Sequence, residues 1–127
     1  MGFVYMIIGI GTDLIEIDRV VKACEKKAFI LKYFTEKEIE LAKGKVGIFA
    51  DNFAVKESVV KMLGTGFRKI SPIEIEVLRD SMGKPYVNLY GEALKTSEML
   101  GVTKVFVTIT NTKKYASAFV VGEGVDN

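Results

Sequence analysis

The stretch from Phe53 to Gly66, FAVKESVVKMLGTG, constrains this chain more than any other, because an uninterrupted helical pattern runs directly into a glycine-flanked turn. On a 3.6-residue period Glu57, Lys61 and Gly64 align along one stripe, and Phe53, Val60 and Leu63 along an adjoining apolar one. A helix of this kind places a carboxylate, a cation and bare backbone on one face. That set suits a metal-bound phosphate, since a carboxylate can hold Mg²⁺ and an ammonium can take an anionic oxygen. The same residues also read as an i,i+4 Glu-to-Lys pair on a solvated helix closed by a glycine C-cap.

A second informative segment lies near the N-terminus. Residues Ile8 to Arg19, IGIGTDLIEIDR, read as a buried strand running into a helix, and period-2 alternation puts Gly9, Gly11 and Asp13 on one side. Two positions without side chains just before a carboxylate would let a bulky polar ligand approach beside Asp13. The plainer alternative is a glycine-weakened strand followed by an Asx turn. Asp18 is the expected N-cap of a helix over 19–27, in which Arg19, Lys22 and Lys26 recur at helical spacing and form one basic face. Such a face is either solvated surface or a docking surface for an acidic protein.

The remaining elements follow from local signals. Thr35-Glu36-Lys37-Glu38 is a capping-box pattern opening a helix through about Lys43, and Gly44 to Gly47 separates it from the long helix expected from near Phe49. Ile73 to Leu78 alternates as a strand, 79–84 turns, and Pro85 to Leu89 returns as its hairpin partner. A helix over 92–100 stops at Gly101, and Thr103 to Thr110 with Tyr115 to Val121 makes a second antiparallel pair rich in β-branched and aromatic residues. The pattern predicts a compact α+β single domain over residues 1–127, with hairpins packed against helices and no βαβ repeat.

Absences narrow the chemistry. The chain has no histidine, which removes Ser-His-Asp and Cys-His catalysis and histidine-containing zinc sites. Its single cysteine, Cys24, excludes an intrachain disulfide and a cysteine-rich metal centre; it fits a cytoplasmic setting and reads as a small core or helix residue. Eighteen basic residues against sixteen acidic ones, a net charge of +2, argue against general nucleic-acid binding. The apolar start, Met1 to Ile10, is too short to span a bilayer and lacks a basic flank, so no membrane or export segment is expected. Hydrophobic residues make up 49%, enough to make self-association plausible.

Taken together, Gly9 to Asp13, Phe53 to Gly66, Gly83-Lys84-Pro85 and Thr112-Lys113-Lys114-Tyr115-Ala116 resemble, in that order, the motifs of the holo-acyl-carrier-protein synthases. These are small 4′-phosphopantetheinyl transferases, which move phosphopantetheine from coenzyme A to a carrier-protein serine. The resemblance implies a homotrimer with active sites at its interfaces, Asp13 and Glu57 as Mg²⁺ ligands, and Lys61 stabilising charge on the transferred phosphate. It implies Glu57 or a metal-bound water as base, and coenzyme contacts from Lys61, Gly64, Gly83, Pro85 and Asn111. Arg19, Lys22 and Lys26 would dock the acidic apo-acyl carrier protein, in support of fatty acid biosynthesis. Lys56 reads equally as a phosphate contact and as a residue paired with a nearby carboxylate. Because family chains often begin just before the first glycine motif, Met6 is a possible start, with Met1 to Tyr5 as an extension. Two positions depart from the family pattern: Asn111 stands where many relatives have histidine, and Asn52 where they often have arginine. Loss of that cation is expected to weaken phosphate binding unless Lys43, Lys45 or Arg68 substitutes. The departures favour one competing reading, a module that binds coenzyme A or a carrier protein without catalysis.

Overall fold

The computed structural model describes residues 2–126. Its strands are β1 (Val4–Glu16), β2 (Ile75–Arg79), β3 (Pro85–Leu89), β4 (Val102–Asn111) and β5 (Tyr115–Asp126). Its helices are α1 (Ile17–Ala23), α2 (Lys27–Tyr33), α3 (Glu36–Ala42), α4 (Val46–Leu63) and α5 (Gly91–Leu100), with a 3₁₀ turn at Pro72–Glu74. β1, β5 and β4 form an antiparallel sheet in that order, and β2 with β3 forms a separate hairpin. This is the antiparallel α+β architecture that the alternation and turn signals predict. Among the described residues no helix is long and apolar enough to cross a membrane.

The organising element is α4. Eleven of its eighteen residues are buried, Asn52, Lys56 and Ser58 among them, so it is a central helix enclosed on most sides rather than an amphipathic surface helix. One side lies on β1 and β5, and the others meet α1, α3 and β2. Val55, Val59, Val60 and Leu63 join Ile75, Val77, Ala118 and Val120 in the larger of two apolar cores. A smaller core gathers Val20, Phe34, Phe49 and Ala50 beneath α1 and α2, with Phe34 and Phe49 ring centroids 4.6 Å apart.

The two glycines of β1 serve this packing. A Cβ at Gly9 would press on the Met62 carbonyl and one at Gly11 would overlap the Ser58 carbonyl, so both positions admit the backbone of α4 and not a ligand. Gly122 and Gly124 work similarly on β5, where a Cβ would meet the Met62 side chain and the Gly101 carbonyl respectively. They let β5 continue to Asp126, beyond the end expected at Val121.

Other boundaries differ for local reasons. β1 is half-uncovered instead of buried: Ile10 and Leu14 face outward, and the strand starts at Val4, with Tyr5 paired to Val125. α1 starts at Ile17 behind Glu16, which leaves Asp18 in the first turn and not at the N-cap. The helix closes at Cys24, whose thiol is pushed up by burial. Lys26 therefore lies beyond α1 and caps the start of α2, a short helix held by Phe29, Tyr33 and Phe53 that carries no periodic pattern strong enough to read. Gly47 belongs to the first turn of α4, and the Ser71–Glu74 capping box turns the expected start of β2 into 3₁₀ structure.

Candidate active site

Alternation along β1 and helical spacing along α4 bring Asp13, Glu57 and Lys61 together. Asp13 projects from the same face as Gly11, and the close approach of α4 that Gly11 permits sets Lys61 Nζ 3.1 Å from Asp13 Oδ1 and 3.0 Å from the Thr12 carbonyl. Glu57 stands one turn earlier on α4, half-buried, and accepts no hydrogen bond among the described residues. Burial pushes its carboxyl above the ordinary carboxylate range; the nearby Asp13 charge adds to that and the Lys61 ammonium offsets part of it. A half-buried carboxylate beside a second one, with a single exposed ammonium nearby that pairs only with Asp13, has an unmet demand for positive charge.

That demand defines which cation fits. No cluster of three or more metal-ligating side chains occurs among the described residues, so a bound metal would have only these two protein carboxylates. Zinc and calcium sites need more protein ligands, whereas Mg²⁺ commonly takes one or two carboxylates, keeps waters and completes its shell with substrate phosphates. The donor set fits Mg²⁺.

The other expected site residues are placed differently. Gly64 is the left-handed C-cap of α4 (φ 77°), and its N–H donates to the Val60 carbonyl at 2.9 Å, so it stops the helix and has no free donor for a phosphate. Gly83 (φ 84°) donates to the Asp80 carbonyl in the β2–β3 turn, and Pro85 opens β3 opposite Arg79. Arg19 and Lys22 are exposed on α1, and Lys26 stands in the following turn, so the three do not share one helix face. Beside α1 lies an apolar cavity of about 460 Å³ lined by Leu14, Arg19, Val20, Ala23, Phe29 and Tyr115, among others.

Lys56 is structural. It is 1% exposed, pairs with the equally buried Glu38 at 2.8 Å and also donates to the Pro72 and Ile75 carbonyls. Burial draws its ammonium down from the usual lysine range, and Glu38 pulls it partly back.

Asn52 is fully buried. Its amide donates to Glu38 at 3.0 Å and to the Val77 carbonyl at 2.9 Å, and its own carbonyl accepts from Arg79 at 2.9 Å. Asn111, at the end of β4, donates to both oxygens of Asp51, at 2.9 and 3.1 Å. Burial raises the Asp51 carboxyl, while the Asn111 amide and the nearby Arg79 guanidinium hold it back. The cation nearest Asn52 is thus Arg79, which reads in the sequence as a mere turn residue, and not Lys43, Lys45 or Arg68. An arginine after an alternating apolar run, immediately before the turn, was the only signal available.

Residues 9–120 match the family model of the 4′-phosphopantetheinyl transferase superfamily. The chain is 60% identical over 118 residues to a holo-[acyl-carrier-protein] synthase of Lachnoclostridium phytofermentans, covering 93% of this chain and 97% of that protein. It is 47% identical over 126 residues to a protein of the same name from Clostridium novyi, covering 96% and 91%. Among solved structures, the Plasmodium yoelii holo-ACP synthase superposes with a TM-score of 0.86 at 31% identity over 98% of this chain and 99% of that one. The Bacillus anthracis holo-(acyl-carrier-protein) synthase in complex with CoA (3′,5′-ADP) superposes with a TM-score of 0.79 at 34% identity, over 94% and 98%.

Proposed function

Because the chain belongs to the 4′-phosphopantetheinyl transferase superfamily, we propose that it transfers the 4′-phosphopantetheine group of coenzyme A to a serine of an apo-acyl carrier protein, with Mg²⁺ held by Asp13 and Glu57. The observation that carries the reading is the Asp13–Glu57–Lys61 constellation, a half-buried Glu57 carboxylate with raised proton affinity beside the Asp13–Lys61 ion pair.

In the reaction the serine oxygen bonds to the phosphorus that bears the pantetheine arm. The phosphoanhydride bond breaks, and adenosine 3′,5′-bisphosphate leaves with the bond's electron pair. A bound Mg²⁺ supplies charge stabilisation to the phosphate oxygens. Lys61, 55% exposed and held only by Asp13 and one carbonyl, is free to swing its ammonium onto a phosphate oxygen as charge builds there. Glu57, or a water held with the metal, would take the serine proton. Arg19 and Lys22 offer positive charge to an acidic carrier protein beside the apolar cavity at α1, with Lys26 beyond the helix end as a further cation.

The protein acts as a homotrimer in this reading. The outer face of the sheet leaves Ile10, Leu14, Phe106 and Phe119 exposed side by side, an apolar surface that a second and third copy would cover. The test is intact mass of an apo-acyl carrier protein incubated with this protein, coenzyme A and Mg²⁺, with EDTA as control. The expected result is a gain of one phosphopantetheine that EDTA abolishes. Coenzyme A binding with no mass gain across several carrier proteins would favour a non-catalytic binding module.

A further inference from the structure

Asn52 and Lys56 stand about one turn apart on α4 and point the same way, toward one edge of β2. β2 pairs with β3 on its other side, and this edge meets no strand among the described residues. Instead the carbonyls of Ile75 and Val77, alternate residues of the strand, accept from Lys56 Nζ and Asn52 Nδ2 respectively. A third carbonyl, that of Pro72 in the 3₁₀ turn, accepts from the same ammonium at 2.9 Å. The hairpin is thus docked on the central helix by side chains, in place of a backbone ladder. Lys56 has three N–H donors, and Glu38 of α3 takes the last of them at 2.8 Å. A buried ion pair is a weak source of stability, since apolar side chains of like volume often serve as well. What an apolar contact lacks is direction. Three bonds converging on one nitrogen fix the height of the hairpin along α4, and a slip breaks them together.

The far end of the hairpin is rigid in itself. Asp80 closes the turn by accepting from the N–H groups of Met82, Gly83 and Lys84, so the position of the turn is decided by how β2 is seated. That turn walls a cavity of about 660 Å³: Lys84, Pro85 and Tyr86 on one side face Phe106, Thr108 and Phe119 on the other. The two walls belong to separate sheets with no ladder between them, and α4 packs against both. The width of the cavity is therefore set through the helix. We infer that Lys56 is a positioning residue for coenzyme binding, with Glu38 as its neutralising partner: it touches no substrate, and it seats the β2–β3 hairpin so that the Gly83–Pro85 turn stands where the coenzyme meets it. The identity of the ligand rests on the transferase reading; the seating rests on the contacts alone. Because Lys56 directly precedes Glu57, the same nitrogen also ties down the turn of α4 that carries the metal carboxylate.

The test uses the intact protein carrying Lys56→Met together with Glu38→Gln, which removes both charges at nearly constant volume, and Glu38→Gln alone, which leaves the two carbonyl bonds of Lys56 in place. Three quantities are read: amide hydrogen exchange, the calorimetric affinity for coenzyme A, and KM for coenzyme A apart from kcat with an apo-acyl carrier protein. In the double variant the amides of β2 and β3 should exchange faster while those of β1 and β5 keep their protection. Its coenzyme Kd and KM should rise by roughly 10–100-fold, the range typical when a support behind a ligand site is lost, with kcat at saturating coenzyme little changed. Glu38→Gln alone should lower the melting temperature and leave KM near that of the unsubstituted protein, which a purely stabilising role would not allow. That arm decides even where the double variant does not fold: a KM raised along with the loss of stability would overturn the proposal. So would unchanged hairpin exchange and coenzyme affinity in the double variant, or a fall in kcat at constant KM. Coenzyme affinity lost in the double variant of a protein that modifies no carrier protein would support the seating role and remove the transferase reading. Transfer that persists with the KM of the unsubstituted protein would do the reverse.

Discussion

Burial of Glu57, with the Asp13 charge adding to it, has a measurable sign. The folded-state pKa of Glu57 is raised above its ordinary 4.5, so the folded protein binds its proton more tightly than the unfolded chain does. Its contribution therefore favours folding at low pH and is lost as pH rises through the raised value. Glu57→Gln should accordingly raise the melting temperature of the metal-free protein at neutral pH by roughly a few degrees. It should also abolish the stabilisation that Mg²⁺ gives the unsubstituted protein, and Mg²⁺ affinity of the latter should increase with pH across the Glu57 titration. Differential scanning fluorimetry across a pH and Mg²⁺ grid checks all three. Lys56 makes the opposite case on the same helix. Truncating it to alanine strands the buried Glu38 carboxylate and should cost about 3–5 kcal/mol, whereas adding Glu38→Gln should recover part of that loss in denaturant melts. The two lysines of the helix motif look alike in sequence, and only the tertiary surroundings separate a core ion pair from an exposed cation.

At the level of elements, what could be read in advance depended on how local the cause was. The capping box at Thr35, the β2–β3 hairpin and the Gly101 stop are set by residues within a few positions of each other, and each appears where its pattern puts it. Two regular periodicities made the faces of Asp13 and of Glu57 with Lys61 legible, while the meeting of those faces, far apart in sequence, was implied only by the family resemblance. The Arg79–Asn52 contact spans 27 positions between a strand end and a helix interior, and no local rule joins them. The glycines of β1 were misread for a related reason: missing side chains signal close approach, but the sequence does not say of what. Their actual partner gives a prediction. Gly11→Ala would force α4 away from β1, costing roughly 1–3 kcal/mol of stability. Because Lys61 and Glu57 move with the helix, the transfer rate should fall by more than the stability loss explains, which parallel denaturation and activity measurements would separate. Gly47→Ala, where an added Cβ meets open space, is the control.

At the scale of the whole molecule, the sheet carries a division of labour. Its inner face packs on α4 and positions the carboxylate pair, while its outer face presents Ile10, Leu14, Phe106 and Phe119. If that outer face is the trimer contact, Phe119→Asp should yield a folded monomer by light scattering. The central claim is narrower than the assembly, namely that Asp13 and Glu57 hold the cation on which transfer depends. It is tested most directly by the single-turnover rate of Glu57→Gln against the unsubstituted protein, followed by intact mass of the carrier protein at saturating coenzyme A and Mg²⁺. The account predicts a fall of about 10²–10³-fold or more in a variant that remains folded. A rate within a few-fold of the unsubstituted protein would contradict it.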